Sequence, residues 1–442
     1  MESILEKLTS LAKRRGLIFQ NSEIYGGLAS TWDYGPIGAE LKKNIKDYWW
    51  NYHVHMRDDI VALDSSILSL NKVWETSGHV KNFSDPLLEC KECNARFRAD
   101  ILENTKGVCP TEKCSNSHFA DPREFNMMFK TNIGPVVSDT SEIFLRPETA
   151  QGIFVNFENI INTSRKKIPF GVAQIGKAFR NEITTGNFIF RTREFEMMEI
   201  EYFVKPEDSE KYYKEWIDGS MEFILSLNIN KSNLRIREHS KEDLSHYSKG
   251  TSDIEYKFPW GWAELQGIAN RGSFDLDAHS KSASKNFTIF EESTKSRYTP
   301  HVIEPSIGVD RLLLITLLDA YNEEKLESKE GKRTVLKLSP KISPIKIAIL
   351  PLSKDPQLSE LSKKIQKDLI NKGNLGKIEY DETQSIGKRY RRQDEIGTPY
   401  CVTIDFETIN DNSVTIRHRD SMGQERININ DLSQKLTSEI YN

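Results

Sequence analysis

Apolar residues recur at helical spacing near the start of the chain. Residues 3–15 carry them every three or four positions, which predicts an amphipathic helix. A second helix is predicted over residues 36–50, because Pro36 suits a first turn, where its missing N–H would have no partner. Residues 123–320 alternate between apolar and polar positions in short runs, which predicts several strands.

The strongest strand signals predict an antiparallel hairpin. Its strands would cover residues 172–183 and 193–203, and residues 184–187 between them supply turn-forming side chains. Because alternate side chains of a strand share one face, several chemically capable residues would meet on one surface. They are Arg180, Glu182, Phe195 and Glu199, with Arg191 in the loop.

These side chains suit a nucleotide. Arginine offers a planar fork of donors to phosphate oxygens, a glutamate accepts a hydrogen bond from an exocyclic amine, and a phenylalanine ring stacks on a base. The same residues also fit a set of cross-strand ion pairs on an exposed sheet. From the residues alone, both interpretations stay open.

The pattern changes beyond residue 320. Residues 322–344 are charged and poor in large apolar side chains, which predicts an exposed connection that ends at Pro340 and Pro344. After it, apolar strands alternate with amphipathic helices, which predicts a compact α/β domain. The predicted strands are residues 345–352, 377–380 and 400–406, and the predicted helices are residues 358–371 and 386–396.

Length, composition and charge limit the kinds of protein that this chain can be. A chain of 442 residues is long enough for two or three domains, and 37% hydrophobic residues suit a folded protein. We expect a cytoplasmic protein without membrane contact, because no run approaches the roughly 18–20 apolar residues of a membrane span and no secretory signal is evident. The net charge of −4 does not by itself indicate a nucleic-acid binder. The basic run at residues 388–392 is either a local RNA contact or a solvated helix face.

Four of the five cysteines lie close together in the sequence. Cys90 and Cys93 form one pair and Cys109 and Cys114 a wider one, inside a segment of low apolar periodicity at residues 84–122. Four thiolates in two close pairs are typical of a zinc ribbon, and reduced, metal-free thiols are the alternative. Cys401 lies in an apolar run and is predicted to be a core residue.

Two segments resemble signature motifs of the class II aminoacyl-tRNA synthetases. Residues 179–182 with residues 191–195 resemble motif 2, and residues 308–311 before an apolar helix resemble motif 3. The two come in the family's order, about 130 residues apart, and an α/β domain follows them. Four further stretches resemble the homodimeric glycyl type of this family, namely residues 32–38, 145–152, 195–199 and 304–308.

The resemblance implies a fold and a division into parts. The fold would be an α+β catalytic domain, in which helices flank an antiparallel class II synthetase sheet, plus a C-terminal α/β anticodon-binding domain. Motif 1 would lie at residues 41–68, although residues 62–66 lack its usual proline. The implied parts are residues 1–83 (the N-terminal part of the catalytic domain, with the motif 1 region), 84–122 (the cysteine-rich insertion), 123–340 (the core with motifs 2 and 3) and 341–442 (the anticodon-binding domain).

For ATP, the resemblance implies that Arg180 holds the α-phosphate and that Arg191 and Arg311 engage the outer phosphates. Glu182 would accept a hydrogen bond from the adenine amine, and Phe195 would stack on the base. Arg180 and Arg311 are the implied catalytic residues. The implied ATP-binding set adds Asn181, Phe190, Thr192, Arg193, Glu194, Glu264 (also beside Mg²⁺), Leu265, Gly308, Val309 and Asp310.

For the amino acid, the resemblance implies an acidic pocket. Three glutamates would accept hydrogen bonds from the ammonium, and the pocket walls would fill the space beside Cα, because an extra methyl group is rejected only by lack of room. The central members are Glu148, Glu199, Glu304 and Ser306, with Arg98 and Arg271 beside them. The implied glycine-binding set also contains Phe195, Glu196, Met197, Met198, Pro305, Ile307 and Gly308.

The implied reaction has two steps. Glycine and ATP give glycyl-adenylate and pyrophosphate, and glycine then moves to the 3′ end of tRNA(Gly) on a homodimeric enzyme. One alternative is another class IIa synthetase, which would charge threonine, proline or histidine; the acidic pocket and residues 32–38 favour glycine. A second is a non-catalytic relative that serves as a polymerase accessory subunit. The four side chains Arg180, Glu182, Arg191 and Arg311 favour an enzyme over that relative.

Overall fold

The computed structural model describes residues 3–99, 102, 105–111, 114–136, 141–183, 186–240, 248–325 and 331–441. Its helices are α1 (Ile4–Arg14), α2 (Pro36–Trp50), α3 (Asn71–Thr76), α4 (His79–Asn82), α5 (Ala150–Val155), α6 (Phe157–Ser164), α7 (Ser209–Leu225), α8 (Phe274–Ala283), α9 (Val309–Ala320), α10 (Pro356–Asn371), α11 (Ile386–Ile396), α12 (Thr408–Asp411) and α13 (Ile429–Tyr441). Within the described ranges, none of the helices has the length and apolar character needed to cross a membrane.

The strands before residue 273 are β1 (Ile18–Gln20), β2 (Trp32–Tyr34), β3 (Ile60–Ala62), β4 (Ser84–Glu89), β5 (Arg96–Arg98), β6 (Arg123–Asn126), β7 (Lys130–Asn132), β8 (Glu142–Phe144), β9 (Phe170–Phe179), β10 (Glu194–Val204), β11 (Leu234–Glu238), β12 (Gly250–Phe258) and β13 (Gly261–Gly272). The remaining strands are β14 (Ile289–Glu291), β15 (Ser296–Tyr298), β16 (His301–Gly308), β17 (Tyr321–Lys325), β18 (Lys332–Leu336), β19 (Ile347–Pro351), β20 (Ile378–Tyr380), β21 (Tyr400–Ile404), β22 (Ser413–His418) and β23 (Gln424–Asn428).

A seven-stranded sheet forms the centre of the N-terminal part of the chain. Its strand order is β11-β12-β13-β16-β10-β9-β3, and every neighbouring pair is antiparallel except β3 with β9. The predicted antiparallel sheet and the β9–β10 hairpin are therefore confirmed. The first strand of the hairpin ends at Phe179, earlier than predicted, and residues 184 and 185 of the predicted turn lie outside the described residues.

The side chains of β10 pack against different helices on the two faces of the sheet. Its even-numbered residues from Met198 to Val204 pack into the larger core together with α1, α2, α7 and α9. On the other face, Phe203 packs with Phe170 and Val172 of β9 beneath α5, α6 and α8. Because strand side chains alternate, residues 195, 197, 199 and 201 lie on this second face.

Both predicted N-terminal helices are present. Helix α1 begins with a capping box, in which Ser3 accepts a hydrogen bond from the Glu6 amide and Glu6 accepts one from the Ser3 amide. Helix α2 has Pro36 in its first turn, as expected. A Cβ atom at Gly38 would lie 1.8 Å from the backbone oxygen of Leu17. Only glycine lets this helix approach the chain that closely.

The prediction of an exposed connection over residues 322–344 is wrong. This segment contains β17 and β18, which pair as an antiparallel hairpin, with residues 326–330 outside the described part of the chain. Val335 and Leu336 are fully buried, and so is Arg333. The Arg333 guanidinium donates to the carboxylates of Glu324 and Asp394 at 2.6 and 2.8 Å. Because both partners are charged, a basic residue is accommodated inside the fold.

The C-terminal α/β domain is confirmed. A five-stranded sheet has the order β20-β19-β21-β22-β23, in which the first three strands are parallel and the last two antiparallel. Its own core packs α10 and α13 against the sheet. The three predicted strands and two predicted helices are all present, and Cys401 is buried as predicted. Strands β22 and β23 and helices α12 and α13 were not predicted from the sequence.

The basic run at residues 388–392 is not solvated throughout, because Lys388 is exposed while Arg391 and Arg392 are half-buried. Arg389 is buried, and its guanidinium donates to the backbone oxygens of Pro351 and Gln384. Arg392 forms an ion pair with Asp381. Two of the four cations in the run are therefore used inside the domain, which a count of charges along the sequence does not reveal.

Candidate active site

A cavity of about 570 Å³ opens on the second face of the central sheet. Its floor comes from β10, β13 and β16, and its walls come from the chain after β9, the first turn of α9 and the segment from His79 to Phe83. Pockets of this size, with a few convergent polar groups, are typical of small-molecule sites.

Arg180 and Glu182 enter this cavity from the chain just after β9. The Arg180 amide donates to the Arg193 carbonyl at 2.9 Å, which continues the hairpin pairing past the end of the strand. The Arg180 guanidinium donates to the Pro147 carbonyl at 3.1 Å and lies 5.4 Å from the ring centres of Phe83 and Phe195. One carboxylate oxygen of Glu182 is buried without a donor among the described residues. Glu182 therefore presents an acceptor that is ready for an amine.

Arg311 enters from the opposite wall, at the start of α9. Its guanidinium donates to the backbone oxygens of Phe190 and Glu264 at 3.3 and 3.0 Å and stacks 4.5 Å from the Phe190 ring centre. The Glu264 carboxylate lies 3.4 Å away. The chain between β9 and β10 and the tip of a helix more than 100 residues later thus meet at one cavity, with Arg180 and Arg311 on its walls.

Buried carboxylates surround the other end of the cavity. Glu199 accepts hydrogen bonds from the Ser306 hydroxyl at 2.8 Å, from the Thr149 amide at 3.0 Å and from the Thr149 hydroxyl. Glu148 lies 3.1 Å from His79 Nε2 and accepts from the Gln151 amide group at 3.1 Å. These bonds fix both carboxylates before any ligand binds.

Arg271 is buried behind these carboxylates. It donates to Glu304 at 2.6 Å and to both oxygens of Asp275 at 2.7 and 2.9 Å. Its guanidinium also lies 5.3 Å from the Phe154 ring centre. Arg271 therefore holds Glu304 at the cavity wall from behind, while the guanidinium itself stays out of the cavity.

The surroundings move the carboxyl pKa values in opposite directions. Burial opposes ionisation of Glu148, but His79 and Arg271 outweigh it and hold the pKa of Glu148 below its ordinary value. Burial raises the pKa of Glu304 to about 8 despite Arg271, with help from Glu199 and Glu148. Burial, and then the charge of Glu148, also raises the pKa of Glu199. A cationic ligand would relieve this crowding of negative charge.

The four clustered cysteines converge in the insertion. Their sulfur atoms all lie within 4.8 Å of one another, with 3.8 Å between Cys90 and Cys114 and 3.7 Å between Cys93 and Cys109. Tetrahedral Zn–S bonds of about 2.3 Å would place sulfur atoms about 3.8 Å apart. The Asn116 amide also donates to the Cys90 sulfur at 3.3 Å. The donor set therefore fits a zinc ion.

The structure brings most of the predicted ATP-binding residues to the cavity wall. They are Arg180, Glu182, Phe190, Arg191, Thr192, Phe195, Glu264, Leu265, Gly308, Asp310 and Arg311. It does not bring Asn181, Arg193, Glu194 or Val309 there. Val309 packs in the larger core, and Glu194 pairs with Lys177, because neighbours along a strand or helix point in different directions.

The predicted glycine-binding residues divide in the same way. Those on the cavity wall are Glu148, Phe195, Met197, Glu199, Glu304, Ser306 and Gly308. Those away from it are Arg98, Glu196, Met198, Arg271, Pro305 and Ile307. Glu196 and Met198 lie on the other face of β10, where Glu196 pairs with Lys42 and Lys46. Arg98, in the insertion, pairs with Asp85 at 3.0 Å.

Sequence reasoning missed several residues of this site. His79, Asn82 and Phe83 line the cavity just before the insertion. His239 lines it just after β11, and Asp253 lines it from β12. A lone histidine or asparagine carries no spacing signal. The sequence offered one hint for the first group, because it directly precedes the cysteine-rich insertion, which contains Arg98 of the implied glycine-binding set.

Comparison with known proteins identifies the class. Residues 129–320 match the model of the tRNA synthetase class II core domain (G, H, P, S and T), and residues 346–439 match the anticodon binding domain. The antiparallel sheet, the two arginine-bearing segments at one cavity and these matches define a class II aminoacyl-tRNA synthetase. Similar proteins of known name show which family of this class the chain belongs to.

The glycine–tRNA ligase of Thermobifida fusca is 51% identical to this chain and covers 99% of it and 98% of its own length. That of Clostridium acetobutylicum is 52% identical over 99% of both chains, and that of Borreliella burgdorferi is 52% identical over 99% of this chain and 98% of its own. The chain belongs to the glycine–tRNA ligase family.

Proposed function

We propose that this chain activates glycine with ATP and then attaches it to the 3′ end of tRNA(Gly). The observation that carries the proposal is one cavity that has arginine and aromatic walls at one end and buried glutamates at the other. The first end suits a triphosphate and a base, and the second suits the ammonium of a small amino acid. Family membership supports the same reaction.

At the ATP end, Arg180 would hold the α-phosphate, and Arg191 and Arg311 the outer phosphates. Glu182, which has one carboxylate oxygen without a donor among the described residues, would accept a hydrogen bond from the adenine amine, and the ring of Phe195 would stack on the base. Mg²⁺, bound beside Glu264, would neutralise phosphate charge. The remaining ATP contacts would come from the cavity-lining members of the predicted set.

At the glycine end, Glu148, Glu199 and Glu304 would surround the ammonium. Each is anchored by its own donors, so the pocket is organised in advance. Discrimination would rest on lack of room beside Cα, where Ser306 and the glutamates fill the space. Arg271 would act through Glu304 rather than on the substrate.

The chemistry needs no enzyme nucleophile. A glycine carboxylate oxygen would attack the α-phosphorus of ATP, and pyrophosphate would leave with the electrons of the broken P–O bond. The terminal ribose hydroxyl of tRNA would then attack the adenylate carbonyl, and AMP would leave. Arg180 and Arg311 would align the reactants and stabilise the charge that develops on the phosphate oxygens.

The proposal predicts which amino acids support pyrophosphate exchange. With ATP and Mg²⁺, the purified chain should exchange labelled pyrophosphate into ATP with glycine, and not with alanine, serine, threonine, proline or histidine above background. Alanine tests the space beside Cα, and the last three test the other class IIa specificities. Exchange with one of those three would assign a different substrate, and no exchange with any amino acid would favour the non-catalytic relative.

We further propose that Cys90, Cys93, Cys109 and Cys114 hold a structural zinc ion. Metal analysis of protein prepared without chelators should give about one zinc per chain. Cys109→Ser should lose the zinc ion, because a hydroxyl is a poor zinc ligand. Cys401→Ser should keep the zinc ion, because Cys401 is a buried thiol in the C-terminal domain. Zinc-free protein with normal glycine-dependent exchange would remove the metal from the proposal.

The proposed parts of the chain are those implied by the sequence: residues 1–83, 84–122, 123–340 and 341–442. The C-terminal part would bind the anticodon region of tRNA, since RNA sequence is read mostly at unstacked bases in loops.

We also propose a homodimer. The family resemblance implies this assembly, and Met56, Leu68 and Leu70, in and beside the region assigned to motif 1, are 70%, 48% and 78% exposed.

A further inference from the structure

A fourth glutamate, Glu201, lies beneath the acidic pocket and has no role in the reaction described so far. It is two residues along β10 from Glu199, on the same face of the strand. Glu199 lies opposite Ser306 and Tyr202 opposite Ile303, so this register places Glu201 opposite Glu304 on β16. One carboxylate oxygen from each of Glu199, Glu201 and Glu304 lies within 4.8 Å of the others.

Glu201 is fully buried, and neither of its carboxylate oxygens has a hydrogen-bond donor among the described residues. Its neighbours differ in this respect. Glu199 has three donors and Glu304 accepts from Arg271. A buried carboxylate without a donor is among the most costly arrangements in a protein. The geometry therefore calls for a proton on Glu201.

We propose that Glu201 is a neutral carboxylic acid that donates a hydrogen bond to Glu304 and so positions Glu304 for the substrate ammonium. The inference rests on the proposed glycine pocket. Glu201 does not touch the substrate in this scheme and is a positioning residue. As a neutral group it also keeps one further negative charge out of a pocket that already holds several.

The charges around Glu201 agree with this assignment. Glu199 and Glu304 face it directly, and the network behind Glu304 contains Arg271, Asp275 and Glu148. His79 and His279 border that network through Glu148 and Gln151. The permanent cations near these groups are Arg271, which pairs with Glu304, and the buried Arg146, which interacts with the charge of Glu199. They face four carboxylates besides Glu201, namely Glu148, Glu199, Asp275 and Glu304. Burial, and then the charge of Glu304, raises the pKa of Glu201 well above its ordinary value.

The kinetic test compares Glu201→Gln with Glu201→Leu in glycine-dependent pyrophosphate exchange. Glutamine keeps both neutrality and a donor, so KM for glycine should stay within about threefold of the parent value. Leucine is neutral but has no donor, so KM for glycine should rise about tenfold or more, while KM for ATP stays within about twofold. Rescue by glutamine of a defect confined to glycine is not expected of a residue that only fills space.

Two outcomes of this comparison would overturn the proposal. If glutamine raises KM for glycine as much as leucine does, the ionised carboxylate is needed, as it would be if it held a metal cation. If leucine leaves KM for glycine unchanged, Glu201 does not position the pocket. Glu304→Ala serves as the reference. If that variant also leaves KM for glycine unchanged, the proposed glycine pocket itself is wrong, whereas a defect in Glu304→Ala alone counts against Glu201 alone.

A second measurement does not depend on whether the leucine variant folds. A glutamate whose pKa is raised by folding contributes stability that is complete below its unfolded pKa of about 4.3 and is lost as the pH rises towards its folded pKa. Glu201→Gln cannot lose a proton. The melting temperature of Glu201→Gln minus that of the parent should therefore increase steadily between about pH 5 and pH 8. A difference that stays constant over this range would overturn the assignment of a proton to Glu201.

Discussion

Arg180→Ala is expected to lower the rate of glycine-dependent pyrophosphate exchange by about 100- to 1,000-fold. The Arg180 guanidinium lies between the rings of Phe83 and Phe195 and is held by the Pro147 carbonyl, so its donors are aimed before ATP binds. Removing such a preorganised donor costs transition-state stabilisation that water does not replace, because water reorganises as charge develops. Exchange kinetics at saturating glycine and ATP measure this loss.

Lys177→Ala is a matched control for Arg180→Ala. Lys177 is a cation near the end of β9, the strand that directly precedes Arg180. Its side chain is 41% exposed and pairs with Glu194 outside the cavity. This variant should exchange at nearly the parent rate. Both variants should keep the parent melting temperature within a few degrees. Near-normal exchange by a folded Arg180→Ala protein would contradict the role proposed for Arg180, even if the family assignment stands.

Arg271→Met is expected to lower the free energy of unfolding of the catalytic part by about 3–5 kcal/mol. Methionine fills the volume, but Glu304 and Asp275 lose the guanidinium that now compensates their buried charges. All seven tryptophans lie before residue 263, so urea unfolding followed by tryptophan fluorescence reports on this part of the chain and not on the C-terminal domain.

Arg96→Met is a matched control for Arg271→Met. Arg96 also forms an ion pair with a glutamate, Glu89, at 2.7 Å, but its side chain is 66% exposed. Exposed pairs contribute little because water screens them, so this variant should change the free energy of unfolding by no more than about 0.5 kcal/mol. If both variants have equally small effects, Arg271 does not compensate buried charge in the way that the hydrogen bonds indicate.

The β9–β10 hairpin shows what the alternation of side chains along a strand can predict from the sequence and what it cannot. It correctly predicted that β9 and β10 pair antiparallel and that residues 195, 197 and 199 share a face. It placed Arg180 and Glu182 inside the first strand, whereas that strand ends at Phe179. These two side chains reach the cavity because the chain leaves the sheet there, which strand periodicity does not describe.

Charge patterns along the sequence were the least reliable guide. The charged segment after residue 320 forms a partly buried hairpin, in which Asp394 and Glu324 compensate the buried Arg333. In the basic run at residues 388–392, Arg389 caps backbone carbonyls inside the domain. In both cases the partner lies far away in sequence, and the desolvation of a charge depends on that partner.

The sequence by itself determined the pairing of β9 with β10, the C-terminal α/β domain and the family, since each of these depends on local periodicity or on motifs that stand as contiguous residues. Only the tertiary structure decided which residues share the cavity. His79, Glu148, Glu199 and Glu304 come from four separate segments, and the contacts that hold these side chains exist only once the sheet and its covering helices bring those segments together. The burial of Glu201, which no described residue supplies with a donor, is also set by the whole fold rather than by its neighbours in sequence.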